Sequence, residues 1–427
     1  MESQDSHAPI KGTKRNYDGS IIGHDARSNT ATHEVIQWGY QIKSHHTSLR
    51  YLKLLLDPHQ DLPSYVSRED LYSQLQLCGK TAAEAIADYL SALYKRIQEE
   101  LVKRYGKVMV DTTMIEYVVT VPAVWSDVAK DETLKAAEQA GIGPNLHMIS
   151  EPEAAAIYTL KALDLEASSV GQDYIIVDAG GGTVDIISYE IQSLSPLRLK
   201  ESVRGTGELC GGAFLNIRFQ ELIKSRISTD TFKELVTQKP KAWDLALKYF
   251  EDYVKRMFDP SDDKDAYDDT KFSVPLPGVA DNAAAGLEGG FILITNAEVA
   301  EIFRPIVSRI IELTEGQRAQ LVKIGRTPKG IILVGGFGQS NYLFKSFKSH
   351  FADNDPTVKT EAQRLVIQPN NAWTAVVRGA VLSGLEGDRL ITSRKARYDY
   401  GVRCCDKYDE AIHSVENKFW SEYWERY

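Results

Sequence analysis

The sequence predicts an α/β fold, because strand-like and helix-like segments alternate along most of the 427 residues. The run IEYVVTVPAVW (115–125) is almost entirely apolar and rich in valine, which is typical of a strand covered on both faces. The segments YIIVD (174–178) and VDIISYEI (184–191) enclose a glycine turn and predict a β-hairpin. A further strand, GIILV (330–334), leads through another glycine turn into a helical pattern.

The helices before the hairpin carry start and stop signals. The segment Thr81–Glu84 is a capping-box signature, and the apolar residues behind it repeat at helical spacing up to Gly106. Ser126 is expected to open a second helix, which ends at Gly141. A short strand, HMIS, then precedes a helix after the pair Glu151-Pro152.

Later segments repeat the order of strand, turn and helix. ELCGGAFLNIRFQELIKSRI (208–227) predicts a glycine turn that feeds an amphipathic helix, and ILITNAEVAEIFRPIVSRIIEL (292–313) predicts a strand, a cap and a helix. Between them, DPSDDKDAYDD (259–269) holds six aspartates and predicts a solvated loop. The last forty residues are polar and aromatic and show no clear period.

Composition excludes some classes of partner and compartment. The net charge of −9 argues against nucleic-acid binding through a general basic face. No apolar run approaches the ~18 residues of a membrane span, and the start MESQDSHAPI lacks signal-peptide regions. The four cysteines predict free thiols in a reducing compartment, since no pair has CxxC spacing: Cys78, Cys210, Cys404 and Cys405. We therefore expect a soluble, cytoplasmic protein with no membrane or nucleic-acid partner.

The stretch DAGGGTVD (178–185) has the composition of a phosphate site. Three glycines let backbone amides converge on an anion, and Thr183 adds a hydroxyl donor. Asp178 and Asp185 would repel phosphate, but they fit a Mg²⁺ ion that keeps its own water molecules and lies between them and the phosphates. The alternative is a glycine-rich hairpin with two solvated aspartates, which the preceding buried strand disfavours.

Two further glycine turns also follow strands and precede helices. They contain Gly211 with Gly212, and Gly335 with Gly336. Each turn alone is common in α/β proteins and fits a purely structural role. Together the three turns predict a nucleotide site, in which several backbone turns at helix N-termini converge on one nucleotide.

At this point the sequence resembles the seventy-kilodalton heat-shock chaperones of the actin-like ATPase superfamily. The matching motifs run in family order over about residues 50–390: TVPAVWSDVAKDETLKAAEQAGI with MISEPEAAAIYTL, DAGGGTVD, GTGELCGGAFLN, FEDYVKRMF, IILVGGFGQSNYL and WTAVVRGAVLSGL. Features of a divergent branch, common in fungi and present in animals, are GGFGQSNYL, VVRGAVLSG, YLKLLLD and SRKARYDYGV.

The resemblance implies an actin-like ATPase (ribonuclease H-like) fold with two lobes and a central nucleotide cleft. It assigns residues 1–170 to lobe I, with 366–387 returning to it, and 171–365 to lobe II with the phosphate and adenosine motifs. A short tail, 388–427, follows without the family's full substrate-binding domain. The implied ligands are ATP or ADP with Mg²⁺, and protein partners or co-chaperones are a further expectation.

The resemblance also implies roles for single residues. The implied catalytic residues are Asp178, Glu151 and Lys53. Asp178 and Asp185 would hold magnesium through water and help orient the attacking water, and Glu151 would join the same water network. Lys53 would reach the phosphates, with a solvated helix lysine as the alternative. The other implied nucleotide-binding residues are Gly180, Gly181, Gly182, Thr183, Gly211, Gly212, Asp252 (with Glu251 as its alternative), Lys255, Arg256, Gly335, Gly336 and Ser340. Two surface charges are the alternative for Lys255 and Arg256.

The sequence departs from the family pattern at its start. The family opens with a strand–D-x-G-T–strand hairpin, its first phosphate loop, and no such motif occurs in the sequence. We therefore expect lobe I to be incomplete and hydrolysis to be weak or lost, because catalysis by positioning needs both phosphate loops. An incomplete gene model would also explain the difference, and a complete upstream hairpin would restore the ATPase.

Three functions remain in competition. The first is an ATP-binding relative of the chaperones, with the stress-response role that the family implies. The second is a nucleotide-sensing interaction module that binds without turnover. The third is a small-molecule kinase of the same superfamily, against which stands the lack of a recognisable sugar pocket. ATP binding without hydrolysis would favour the second, and a sugar-dependent release of ADP the third.

Overall fold

The structure is a computed structural model, and it forms two compact units, Met1–Arg394 and Lys395–Tyr427. The residues it describes are 22–24, 37–42, 47–49, 51–57, 62, 66–162, 170–259, 271–353, 366–387, 390–396, 405–423 and 425–427. Most of the predicted acidic loop (260–269), Cys404 and part of the SRKARYDYGV motif (397–402) lie outside these residues.

The first unit alternates strands and helices, so the predicted α/β class is confirmed. Its strands are β1 (Ile22–His24), β2 (Gln37–Trp38), β3 (Thr47–Leu49), β4 (Tyr117–Val121), β5 (Leu146–Ser150), β6 (Asp173–Ala179), β7 (Val184–Leu194), β8 (Leu197–Glu208), β9 (Lys271–Pro275), β10 (Leu287–Glu288), β11 (Phe291–Thr295), β12 (Pro328–Val334), β13 (Val366–Ile367) and β14 (Ile391–Ser393). Its α-helices are α1 (Arg68–Cys78), α2 (Ala82–Tyr105), α3 (Lys107–Thr112), α4 (Asp127–Gln139), α5 (Glu151–Ala162), α6 (Phe214–Ile227), α7 (Thr229–Gln238), α8 (Pro240–Tyr249), α9 (Lys255–Met257), α10 (Asn296–Lys323), α11 (Asn341–Asp353) and α12 (Ala375–Glu386).

A six-stranded mixed sheet with the order β13-β12-β6-β7-β8-β14 lies at the centre of the first unit. Strand β12 runs parallel to β6, whereas β6, β7 and β8 form an antiparallel meander. In this register Val334 lies beside Asp178, and Val184 lies opposite Glu208. The C-terminal ends of β6, β8 and β12 therefore lie side by side at one end of the sheet. The three glycine turns of the sequence follow these strand ends.

Strand β6 is buried along its whole length, because helices cover both faces of the sheet. On one face Ile175 and Val177 pack in a core with residues of α6, α10 and α11. On the other face Tyr174 and Ile176 pack with residues of α5 and α12. The alternation follows from the two-residue repeat of a strand, and it holds the end of β6 rigidly between two cores.

Helices α5 and α12 cross at very close range. A Cβ atom at Gly379 of α12 would lie well under 3.0 Å from the carbonyl oxygen and carbonyl carbon of Ala154. Helix backbones can approach this closely only where one of them carries no side chain. The crossing fixes α5, whose first residue is Glu151.

The predicted helix boundaries are confirmed where a cap defines them. Thr81 and Glu84 form the expected capping box, and Gly106 ends α2. Ser126 caps α4 by accepting a hydrogen bond from the amide of Ala129. Helix α10 begins after Thr295, which also forms a capping box.

Two features differ from the sequence-based expectation. Strand β4 is mostly half-buried rather than covered on both faces, and within the described residues it pairs only with β5. Strand β8 was not predicted, because Lys200, Glu201 and Arg204 interrupt its apolar pattern; Glu201 is nevertheless fully buried. Its carboxylate accepts a hydrogen bond from the amide of Gly205.

Two smaller three-stranded sheets accompany the central one, with the orders β2-β1-β3 and β10-β11-β9. The predicted boundaries of the two lobes stay predictions. In the second unit, the Lys418 ammonium lies 4.7 Å from the ring centroids of both Tyr408 and Tyr427. In the described part of the chain, no helix combines the length and the apolar character needed to cross a membrane.

Candidate functional site

Two buried carboxylates face each other across the central hairpin. Asp178 on β6 pairs directly with Asp185 on β7, and their side chains are 4% and 0% exposed. The backbone amide of Val124 donates a hydrogen bond of 3.2 Å to Oδ1 of Asp185. The second oxygen, Oδ2, is buried and has no hydrogen-bond partner among the described residues. A buried carboxylate oxygen without a partner is costly unless a cation or water satisfies it.

A third carboxylate and a lysine lie close to this pair. Glu151 begins α5 directly after β5, and its Oε1 atom lies 3.6 Å from Nζ of Lys53. Lys53 belongs to a short 3₁₀ helix, Leu52–Leu55, whose leucines are buried. The structure therefore brings Lys53 to the carboxylates, and the alternative of a solvated helix lysine is disfavoured.

The pKa values of the two aspartates are raised. Burial raises the pKa of Asp178 well above its ordinary value, and the charges of Glu151 and Asp185 raise it further. Burial and the charge of Glu151 raise the pKa of Asp185 to about 7, against the opposing effects of the Val124 amide and Lys53. The two aspartates thus favour their protonated forms until a cation is present, because three carboxyl groups share the single ammonium of Lys53.

The residues present fit a hydrated magnesium ion. Within the described ranges, no group of three or more His, Cys, Asp or Glu side chains is arranged to hold a metal directly. Magnesium keeps several of its own waters and uses one or two protein carboxylates, so it does not need such a group. The unpartnered Oδ2 atom of Asp185 and the raised pKa of Asp178 mark the position where a cation would relieve the charge.

The first glycine turn is held by the second. The amides of Gly211, Gly212 and Ala213 donate to the carbonyls of Gly182, Gly180 and Gly181, at 3.3, 2.9 and 2.7 Å. A Cβ atom at Gly211 would lie well under 3.0 Å from the carbonyl of Gly181. Gly211 and Gly212 therefore brace the first turn.

This bracing orients the other side of the first turn. In a trans peptide the N–H of the next residue points opposite to the carbonyl. Because the carbonyls of Gly180–Gly182 point toward the second turn, the N–H groups of Gly181, Gly182 and Thr183 point away from it. Successive amides that face one side form a concave nest suited to an anion. Thr183 itself is buried, with an exposure of 2%.

The third glycine turn packs against the end of β6, where Asp178 and Ala179 lie. Gly335 has φ of +86°, and a Cβ atom there would lie well under 3.0 Å from Oδ1 of Asp178 and from the carbonyl of Ala179. Its amide donates to the carbonyl of Ala372 at 3.0 Å. Gly336 follows directly and leads into a 3₁₀ helix that contains Phe337.

The second and third glycine turns also contact each other. A Cβ atom at Gly212 would come within 3.1 Å of Cβ of Phe337, so the second turn also packs on the third. Ser340 lies at the start of α11, where its hydroxyl accepts from the amide of Leu343 at 3.4 Å. All three glycine turns that the sequence singled out therefore meet at one edge of the sheet.

The predicted adenosine segment forms a π-helix, Phe250–Val254, followed by the single turn α9. Two of its side chains contact the side-chain amide of Asn216. Nδ2 of Asn216 donates a hydrogen bond of 2.7 Å to Glu251, and Nζ of Lys255 donates one of 3.1 Å to Oδ1 of Asn216. Asp252 is half-buried, whereas Arg256 is exposed. A π-helix inside an α-helical segment is frequently found at a functional site.

Aromatic packing joins this segment to the third turn. The ring of Phe258 stacks on Tyr342 with centroids 5.1 Å apart, and both contact Phe303 of α10. Lys345 and Asp259 add an ion pair of 2.8 Å. The two predicted adenosine motifs, which lie more than seventy residues apart in the chain, are therefore neighbours.

Two residues of the site were not predicted from the sequence. Asn216 bridges Glu251 and Lys255, and its place at the start of α6, four residues after Gly212, was the available signal. Trp125 is buried, and its ring centroid lies 5.6 Å from Nζ of Lys53. Nothing in the run IEYVVTVPAVW distinguishes this tryptophan from an ordinary core residue.

Comparison with known proteins agrees with this geometry. A family model described as "Hsp70 protein" matches residues 76–231, which include the first two glycine turns. Heat shock 70 kDa protein 12A of Homo sapiens and of Mus musculus are each 24% identical over 419 residues, which cover 78% of this chain and 58% of the relative. Heat shock 70 kDa protein 12B of Homo sapiens is 23% identical over 411 residues, with shares of 79% and 58%.

The chain thus spans less than two thirds of the length of these curated relatives. The region matched by the family model carries the hairpin and the paired aspartates. The predicted resemblance and fold class are confirmed: residues 76–231 match the Hsp70 family model, and most of the chain is similar to heat shock 70 kDa proteins 12A and 12B, as expected for a divergent relative of these actin-like ATPases.

Proposed function

We propose that this protein binds Mg·ATP at the edge of the central sheet and hydrolyses it slowly or not at all. The observation that carries the proposal is the amide nest of Gly181, Gly182 and Thr183 beside a pair of buried aspartates. The match of residues 76–231 to the Hsp70 family model supports it, since that family generally uses ATP or ADP with Mg²⁺.

The nest supplies the phosphate contacts. Its N–H groups can donate to the terminal phosphates, and the bracing by Gly211 and Gly212 fixes them before the ligand arrives. Preorganised donors stabilise an anion more than mobile ones, because no reorganisation is needed on binding. Lys53 adds a positive charge on the side of Glu151.

The carboxylates supply the magnesium site. Asp178 and Asp185 would hold magnesium through its water shell, and the ion supplies neutralisation of the phosphate charge when it is bound. Glu151 would accept a hydrogen bond from a water molecule bound to the ion. The adenosine would lie between the π-helix, with Glu251 and Lys255, and the turn from Gly335 to Ser340.

The proposal of slow turnover rests on the hydrogen-bond donors and charges that the described residues offer to the phosphates. Phosphoryl transfer depends on positioning and on charge stabilisation from several sides of the phosphate. The described residues offer one amide nest and one lysine, and Lys53 is partly neutralised by Glu151. We therefore expect the 427-residue chain to bind ATP more effectively than it hydrolyses it.

Isothermal titration calorimetry and a phosphate-release assay, both with and without Mg²⁺, test the proposal. Magnesium-dependent binding with little phosphate release is the expected result. Rapid release would contradict the slow-turnover part, and release of ADP only with an added sugar would identify a kinase instead. Equal binding of ATP with and without Mg²⁺ would contradict the role of the aspartates.

Gly335→Ala is expected to weaken Mg·ATP binding at least tenfold, because the added methyl group collides with Asp178 and with the Ala179 carbonyl. The left-handed φ of +86° adds strain for any side chain. Calorimetry measures the loss. Gly278→Ala is the matched control, since Gly278 has φ of +78° but nothing within 4 Å of its Cβ position. Equal affinity of the two variants would contradict the proposed site.

Asn216→Ala is expected to weaken binding of ATP and of free adenosine by a similar factor of about five, because Lys255 and Glu251 lose their shared partner. Pyrophosphate binding should not change, since Asn216 is not in the phosphate nest. Competition titrations with the three ligands make the comparison. A selective loss of pyrophosphate binding would show that Asn216 acts at the phosphates, which would contradict its proposed place beside the adenosine.

A further inference from the structure

Trp125 lies against the one lysine that faces the carboxylate cluster in the described part of the chain. Its ring centroid is 5.6 Å from Nζ of Lys53, and the same Nζ atom lies 3.6 Å from Glu151. A cation within about 6 Å of an aromatic face is attracted by the ring, and tryptophan is the strongest such partner. The ammonium therefore has an aromatic neighbour and an anionic neighbour at once.

The indole is fixed, whereas the lysine is not. Trp125 is 5% exposed and packs with Leu56, Val121 and Ala129 in a small core. The Lys53 side chain is 33% exposed and ends a flexible stem. The fixed ring of Trp125 can thus determine the position of the mobile Lys53 ammonium, whereas the lysine does not determine the position of the ring.

The indole nitrogen gives a second, independent observation. Nε1 of Trp125 is buried and has no hydrogen-bond partner among the described residues. Burying a donor without a partner is unfavourable, and phenylalanine, which has no such donor, would avoid this cost. A residue that costs stability where it sits is expected to serve something other than the core.

We propose that Trp125 is a positioning residue, whose ring holds the Lys53 ammonium beside Glu151 at the phosphate side of the nucleotide site. The inference rests on the proposed function for its role in ATP binding. The contact between Trp125 and Lys53 does not depend on ATP, and it can be tested separately.

The first test is a double-mutant cycle with Mg·ATP affinity as the readout. Trp125→Leu should weaken binding about fivefold, and Trp125→Phe about twofold, because the ring–cation attraction is removed or reduced. In a Lys53→Met background, Trp125→Leu should change the affinity less than about 1.5-fold, since the cation is gone. An undiminished effect of Trp125→Leu in that background would overturn the proposal.

The second test needs no nucleotide. Acetylation of the Lys53 amine, followed by mass spectrometry of its peptide, should be about fivefold faster in Trp125→Leu, because the ring no longer covers the amine and holds it beside Glu151. Trp125→Phe should show an intermediate rate. Trp243→Leu is the matched control, since Trp243 is buried to a similar extent and stacks on Phe219 instead.

The two tests separate the two claims. If the parent protein ignores Mg·ATP but Lys53 acetylation responds to Trp125→Leu alone, the proposed function fails and the positioning contact stands. If Trp125→Leu and Trp243→Leu change the Lys53 rate equally, the effect is a general loosening of the fold, and the positioning role is wrong. An intermediate rate in Trp125→Phe, together with an unchanged rate in Trp243→Leu, is the result that a purely structural role would not give.

Discussion

Gly379→Ala is expected to lower the free energy of unfolding by more than about 3 kcal/mol, or to prevent folding altogether. The added methyl group would occupy the position of the Ala154 carbonyl, so α12 and α5 would have to move apart. Backbone atoms cannot relax by changing rotamer, and overpacking against them is therefore more costly than against a side chain. Urea denaturation followed by circular dichroism measures the change.

Gly316→Ala is the matched control for that substitution. Gly316 also lies within a helix, α10, but nothing comes within 4 Å of its Cβ position. Alanine has the higher helix propensity, so this variant should gain up to about 1 kcal/mol. Two variants with the same chemical change should thus shift stability in opposite directions. A Gly379→Ala protein as stable as the parent would show that the close crossing does not exist.

Asp185→Asn is expected to stabilise the nucleotide-free protein above neutral pH and to abolish magnesium-dependent ATP binding. The parent carboxylate is buried, and burial with the charge of Glu151 raises its pKa from an ordinary 3.8 to about 7. Each unit of pKa shift corresponds to about 1.36 kcal/mol of free energy of unfolding. Above neutral pH, the ionised Asp185 therefore lowers the free energy of unfolding by on the order of 4 kcal/mol.

The pH dependence has a defined sign. Between pH 4 and 7 the folded protein keeps the proton on Asp185, whereas the unfolded chain loses it. The unfolded state then binds fewer protons, so the free energy of unfolding falls as the pH rises, and it levels off above about pH 7. Asp178, whose pKa is also raised, changes stability in the same direction. The difference between the parent and Asp185→Asn isolates the contribution of Asp185.

Denaturation at several pH values checks this expectation. Asp185→Asn should show a flatter curve than the parent, with the largest gain at pH 8 and little gain at pH 4. Asp230→Asn, which changes an exposed aspartate in the first turn of α7, should leave the pH dependence of the parent intact. If Asp185→Asn instead lowers stability at pH 8, the carboxylate is satisfied in the folded state and the cation site is not required.

Local patterns in the sequence predicted the elements that carry the site. The apolar runs on both sides of three glycines predicted the hairpin, and the hairpin places Asp178 opposite Asp185. The capping residues Thr81 and Ser126 predicted helix starts that the structure confirms. These features depend on contacts within a few residues, which is why periodicity and propensity could find them.

Contacts between distant segments could not be predicted in this way. Lys53 meets Glu151 across almost one hundred residues, and Asn216 meets Glu251 across thirty-five. The bracing of the first glycine turn by the second depends on the register of β7 and β8, and β8 was not predicted. The family resemblance supplied Lys53, but it gave no indication of Trp125, whose role depends on which side chain packs over its ring.

Isothermal titration of the nucleotide-free 427-residue protein with ATP, in the presence and absence of Mg²⁺, tests the central claim most directly. The amide nest and the paired aspartates predict saturable binding that becomes at least about tenfold weaker when Mg²⁺ is removed, since the phosphates then meet uncompensated carboxylates. Asp185→Asn should bind ATP equally with and without Mg²⁺. No heat of binding for the parent at millimolar Mg·ATP would contradict the account.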